Sequence, residues 1–139
     1  MSNNMSPAEK NYDWLINLHH LNLKNKSILL IGGGEISKQY LKVLLRLNIC
    51  DITVVTKTGN QIREFCDSNK INLLTGGFER NLASCGIKDL VIVATPIPLL
   101  IPATEIAIKA GNKNILIEKP GSQYHKKLSS LKSNTVKIR

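Results

Sequence analysis

The sequence predicts a doubly wound α/β domain, a parallel sheet held between two layers of helices in a three-layer αβα arrangement. Three observations carry that prediction. Ile28-Leu29-Leu30-Ile31 runs unbroken into Gly32-Gly33-Gly34, and the apolar residues beyond it recur at helical spacing. A short, wholly apolar run of this kind belongs to a strand buried on both faces, the condition met in parallel sheets under helices. Further runs at Ile52–Thr56, Leu90–Ala94 and Asn114–Ile117 alternate with helical stretches. Strands alternating with helices imply right-handed crossovers into one parallel sheet. The third observation is where the unusual peptides fall. Each closes a strand at its carboxyl end, the rim on which an open parallel sheet holds its ligands.

One such domain is what 139 residues accommodate, with a substantial core and little room for a second. No apolar run approaches the ~20 residues of a membrane-spanning helix, so no membrane partner is expected. Met1–Met5 lacks the basic-then-apolar order of a secretory signal. Cys50, Cys66 and Cys85 are far apart, without a Cys-x-x-Cys pair. They read as reduced thiols, and the expected location is cytoplasmic. The net charge of +9 raises the question of nucleic acid. Residues 1–118 carry thirteen Lys and Arg against ten Asp and Glu, whereas residues 119–139 carry six and no acid. The excess belongs mainly to the tail and not to a face of the domain, which argues against a nucleic-acid partner.

Ser6-Pro7-Ala8-Glu9 is a capping box with proline at the first helical position, and Trp14, Leu15, Leu18 and Leu21 follow at helical spacing. Residues 1–25 are therefore expected to form an N-terminal helical extension, helical over about 7–20, packed on the outside of the domain. His19-His20 falls at its exposed end, and no metal site is expected. The sheet domain spans 26–121. Its first helix is marked by Ile36, Tyr40, Val43, Leu44 and Leu47 and ends near Asn48. After the second strand, a polar helix turns Ile62, Phe65 and Cys66 inward. Ile71–Leu74 is the third strand, closed by Gly76-Gly77. Phe78–Gly86 is weakly patterned and reads as one helical turn. A helix over about 99–110 follows the fourth strand, with Pro102 tolerable in its first turn and Gly111 past its end. Residues 122–131 look like a linking helix, and 135–139 begin an alternating strand.

The glycine turn carries the first chemical inference. Read as Gly-x-Gly-x-x-small, it sets Gly32 at the tight turn, Gly34 where backbone approaches a pyrophosphate, and Ser37 where helix and strand pack closely. The helix that follows offers unpaired N–H groups and the positive end of its dipole to phosphates. Three more peptides fall on the same rim: Thr56-Lys57 after the second strand, Ala94-Thr95-Pro96 after the fourth, Glu118-Lys119-Pro120 after the fifth. The candidate dinucleotide site is therefore Gly32, Gly33, Gly34, Glu35, Ile36, Thr56, Lys57, Ala94, Thr95, Pro96 and Glu118, with Lys119 as the candidate catalytic group.

The glycine motif, an Ala-Thr-Pro after an aspartate-led strand, an Ala-Gly and then Glu-Lys-Pro together resemble the Gfo/Idh/MocA oxidoreductases. The resemblance covers about residues 26–127 and corresponds to that family's NAD(P)-binding Rossmann domain. It implies hydride transfer between nicotinamide and a small-molecule substrate, a sugar or similar polyol. Gly32, Gly34 and Ile36 would line the pyrophosphate, and Ala94, Thr95 and Pro96 the nicotinamide side. Glu118 would lie close to the nicotinamide ribose. Lys119 would sit near the reacting carbon and the substrate hydroxyl, where a lysine stabilises alkoxide character. Pro120 biases it toward extended backbone.

The chain also departs from the family. The carboxylate expected about 20 residues after the glycines, for the ribose 2′-OH, is replaced by Thr56 and Lys57. That pair suits a 2′-phosphate, so NADP is expected to be slightly preferred over NAD. Leu100 stands where the family often has histidine. No second α/β domain follows, although residues 122–139 read as the threshold of one. The expectation is a truncated chain that binds cofactor and turns over nothing alone. The alternative is a non-catalytic nucleotide-sensing module.

Overall fold

The computed structural model describes residues 22–119, Ser129 and Lys137–Ile138. The capping box, the helix expected over 7–20, His19-His20 and Pro120 lie outside the described residues, as does the linking helix apart from Ser129.

Six parallel strands form one sheet in the order β3-β2-β1-β4-β5-β6. They are β1 (Ser27–Ile31), β2 (Asp51–Val55), β3 (Asn72–Leu74), β4 (Leu90–Val93), β5 (Asn114–Ile117) and the two-residue β6 (Lys137–Ile138). Between them run α1 (Glu35–Arg46), α2 (Arg63–Ser68), α3 (Phe78–Cys85) and α4 (Ile97–Lys109). This is the doubly wound Rossmann order, with the topological reversal between β1 and β4.

The side-chain alternation of the strands divides the core in two. Leu29 and Ile31 of β1 join Val91 and Val93 of β4 beneath α3 and α4, which contribute Phe78, Leu82, Leu100, Ala103 and Ala107. Ile28 and Leu30 face the other way with Ile52, Val54 and Ile92, beneath Leu41 and Leu44 of α1 and Ile62 and Cys66 of the α2 region. Phe65 packs against the same core, half-buried. Ile28–Ile31 of β1 are thus apolar without alternation because both faces of the strand are covered.

Two expectations need correction. Phe78–Cys85 is a helix of 8 residues and not a single turn. Only Phe78 and Leu82 of it are fully buried, and that spacing of four is too sparse to stand out in sequence. Gly77 (φ 90°) and Gly86 (φ 71°) bracket it in backbone that other residues rarely adopt. The helix after β4 begins at Ile97, two residues earlier than expected, behind Pro96. Pro102 therefore stands in its second turn, where it removes the hydrogen bond to the carbonyl of Pro98. Burial of Leu100, Ile101, Ala103, Thr104 and Ala107 keeps the helix in place regardless.

The edge of the sheet away from the rim is held by polar clamps. Asp89 accepts hydrogen bonds from the Ser27 N–H (2.7 Å) and hydroxyl (3.1 Å), joining the starts of β1 and β4. Buried Asn112 accepts from the Lys88 N–H (2.8 Å) and donates to the Ala107 carbonyl (3.0 Å). Among the described residues no helix is long and apolar enough to cross a membrane.

Candidate functional site

β1, β2 and β4 stop level with one another, Ile31 pairing with both Val55 and Val93. Gly32, Thr56 and Ala94 consequently leave the sheet side by side. Above them, at the topological reversal, opens a cleft of about 770 Å³, a volume typical of small-molecule sites.

The three glycines meet different surroundings. Gly32 is buried at φ +130°, and a Cβ there would lie 2.4 Å from the Ala94 carbonyl oxygen. A Cβ on Gly33 would lie 2.6 Å from Thr56 Oγ1. Gly34 has ordinary backbone (φ −91°), and its nearest neighbour would be Gln61 Oε1 at 3.9 Å. Two glycines thus let strand ends approach, whereas the third faces the cleft. Gly34 is also the N-cap of α1 and supplies no side-chain cap, so the first-turn N–H groups are available to an anion. Ser37 is fully buried beneath the turn, consistent with the tight helix–strand contact its size permits.

Thr56 and Lys57 are held by the exit of β3. The Thr56 N–H donates to the Leu74 carbonyl (3.0 Å), and the Gly76 and Gly77 N–H groups donate to the carbonyls of Lys57 (2.9 Å) and Thr56 (3.1 Å). Asn81 fixes the glycine pair by donating to the carbonyls of Thr75 (2.9 Å) and Gly77 (2.8 Å). Lys57 is exposed on the cleft wall. Across the opening, Ala94, Thr95 and Pro96 form the other wall. Thr95 Oγ1 is buried without a hydrogen-bond partner, a state that costs free energy unless a ligand satisfies it.

Glu35 and Ile36 line the cleft at the start of α1. The Glu35 carboxylate turns to solvent and pairs with Lys38 at 3.0 Å, so its N–H is the part directed by the helix axis. Glu118 and Lys119 stand beside the cleft and do not line it. Glu118 N–H donates to the Val93 carbonyl (2.9 Å). Its carboxylate accepts from the Tyr40 hydroxyl at 2.5 Å and from the Lys119 N–H at 3.2 Å. Burial, then the hydrogen bond to Glu118 and its charge, pushes the Tyr40 phenol up to about 12. Lys119 itself is exposed.

Several wall residues carry no motif: Thr58, Gly59, Asn60, Gln61, Gly76, Gly77, Glu79 and Leu99. The Thr-Gly-Asn cluster after Lys57 was the available signal, and buried Gly59 does adopt a turn conformation (φ +73°). Tyr40 could be read only as a helix residue. Among the described residues, no cluster of His, Cys, Asp and Glu could hold a metal ion.

The residues fit an NAD(P) dinucleotide. An uncapped helix N-terminus faces a glycine whose Cβ would project into open cleft, and an unpaired buried hydroxyl stands opposite. Solved structures share the fold. A Gfo/Idh/MocA family oxidoreductase from Vibrio cholerae superposes with TM-score 0.70 at 15% identity, over 83% of this chain and 38% of that one. UDP-N-acetylglucosamine 3-dehydrogenase from Acidithiobacillus ferrooxidans gives 0.65 at 20%, over 78% and 33%. By sequence the chain is similar to glutamyl-tRNA reductase of Listeria monocytogenes, 31% identical over 72% of this chain and 21% of the relative. It therefore spans about a fifth of that relative's length. Residues 20–120 match the model of a family described as NAD(P)-binding, and the chain belongs to that family.

Proposed function

We propose that this chain is the cofactor-binding domain of an NAD(P)-dependent oxidoreductase of the Gfo/Idh/MocA type, transferring hydride to or from a sugar or polyol. The observation that carries the reading is the cleft at the topological reversal, where the uncapped N-terminus of α1 and the open face of Gly34 meet. The glycine turn would hold the pyrophosphate, Thr56 and Lys57 the adenosine ribose, and Ala94-Thr95-Pro96 the nicotinamide end. NAD(P), when bound, supplies the hydride-accepting or hydride-donating carbon. Lys119, on the exit of β5, would bond the substrate oxygen and stabilise negative charge developing on it. Support for a sugar substrate comes from the Glu-Lys-Pro peptide and from the UDP-sugar dehydrogenase among the structural neighbours. The name of the curated relatives sets glutamyl-tRNA as the competing substrate class.

Lys57 on the cleft wall, with no carboxylate at the end of β2, favours NADP: a carboxylate there would repel the 2′-phosphate, whereas an ammonium attracts it. Calorimetric titration with NADPH and NADH tests both statements. Tighter NADPH binding is expected, tighter NADH binding overturns the preference, and binding of neither overturns the cofactor reading. A nucleotide-sensing role is the second reading, favoured by the placement of Lys119 beside the cleft and not on its wall. Hydride transfer to or from a sugar, by this chain or by any longer protein that contains it, distinguishes the two.

A further inference from the structure

Lys119 is exposed and outside the cleft wall, so its placement depends on whatever holds the exit of β5. Glu118 holds it with both carboxylate oxygens. Oε1 accepts from the Lys119 N–H at 3.2 Å, and Oε2 accepts from the hydroxyl of Tyr40. Tyr40 stands in the middle of α1, 78 residues earlier in sequence, with its ring packed against the core on that face of the sheet. α1 is the helix whose N-terminus closes the glycine turn. On its other side Glu118 is bonded through its N–H to Val93 of β4. A hydroxyl donating to an ionised carboxylate is among the stronger hydrogen bonds available to a side chain. The half-buried setting also shields it from competing water.

We propose that Tyr40 is the positioning residue for Lys119, tying the exit of β5 through Glu118 to the helix at the pyrophosphate. The inference rests on the reading of the cleft as an NAD(P) site. Glu118 is thereby engaged within the protein, and its contribution to the site is orientation of its neighbour. Loss of the Tyr40 hydroxyl would loosen Lys119 and, through the Glu118 N–H bonded to Val93, the adjoining Ala94-Thr95-Pro96 wall at the nicotinamide end, and leave the glycine turn untouched. It would act on half of the cofactor.

That asymmetry separates positioning from general stability. NADPH and 2′-phospho-ADP-ribose, which lacks the nicotinamide, are titrated against the wild-type chain, Tyr40→Phe, Glu118→Ala and the double variant. Circular dichroism monitors folding, and Tyr40→His serves as a second variant that keeps a donor. Tyr40→Phe is expected to weaken NADPH about fivefold, the scale of one lost hydrogen bond, and to leave the nicotinamide-free fragment within about twofold. In the Glu118→Ala background, Tyr40→Phe should change nothing further, because the path through Glu118 is already cut. Equal weakening of both ligands, or full additivity in the double variant, overturns the proposal. So does unchanged NADPH affinity in a folded Tyr40→Phe protein. A wild-type chain that binds neither ligand overturns the cofactor reading first, and the proposal with it.

Discussion

At the scale of residues, Gly32, Gly33 and Gly34 are consecutive and chemically identical, yet their neighbours set them different tasks. Gly32→Ala would drive a Cβ to 2.4 Å from the Ala94 carbonyl in backbone at φ +130°. Strain and overpacking together should cost roughly 3 kcal/mol. Thermal unfolding would show it as a large fall in Tm with or without ligand. Gly34→Val should behave in the opposite way. Its Cβ meets nothing closer than 3.9 Å, so the stability change should stay within about 1 kcal/mol, the cost of a poor N-cap residue. The side chain would instead occupy the cleft against the helix N-terminus. Cofactor affinity should fall at least about tenfold, a loss of about 1.4 kcal/mol, and unchanged affinity in the folded variant would refute the site. The spacing of the motif distinguishes Gly32 from Gly34 in advance. The packing of Gly33 on Thr56 depends on where β2 ends beside β1, and no local pattern encodes that.

At the scale of elements, the legible parts were those whose burial repeats regularly. β1, β2 and β4 are buried on both faces and read as apolar runs. Of the residues that marked α1, Leu44 is buried but Ile36 and Val43 are exposed, whereas Leu41, which no motif singled out, is fully buried. α3 was read as only one turn because it offers two fully buried residues, and its start depends on Gly77, whose carbonyl Asn81 holds. The start of α4 was placed late because its first two residues, Ile97 and Pro98, are exposed and present no inward face. Leu99, next along, lines the cleft, where an apolar side chain does not report core. The polar clamp at the opposite edge was equally hidden, since Asp89 could be seen only as the residue before a strand. Hydrogen bonds from the Ser27 N–H and then its hydroxyl, aided by the charge of Lys26 and opposed by burial, hold the Asp89 carboxyl below its usual value of 3.8. A carboxylate with a depressed folded pKa contributes stability that is complete above the unfolded value and lost as pH falls through the folded one. Asp89→Asn should therefore lower Tm at neutral pH, and the difference from wild type should shrink as pH falls below about 4. A Tm difference that stays constant down to pH about 2.5 would show that the ionised carboxylate contributes nothing.

At the scale of the whole molecule, the alternation of strands and helices was sufficient to anticipate the sheet, because right-handed crossovers leave few topologies open. The cleft follows from that topology. Any preference between NADP and NAD would rest on single side chains, of which Lys57 was visible as a cation at the end of β2. If the cleft binds a dinucleotide, ligand must stabilise the fold by mass action. NADPH at a hundred times its dissociation constant should add about 2.7 kcal/mol. For a domain of this size that is roughly an 8 °C rise in Tm. Lys57→Ala should reduce the rise with NADPH and leave the NADH shift nearly unchanged, because only NADPH carries a 2′-phosphate for the ammonium to meet. Turnover is a separate requirement. Hydride transfer needs the substrate carbon held close to the nicotinamide, with water kept away. The described residues give the cleft walls at β1, β2, β3 and β4 but leave Lys119 exposed beside an open rim. The 139 residues by themselves should therefore bind cofactor and reduce none of it in the presence of sugars. Following nicotinamide absorbance with a panel of sugars and NADP+ checks this. Steady reduction that disappears in Lys119→Ala would show that the rim closes around substrate without further walls.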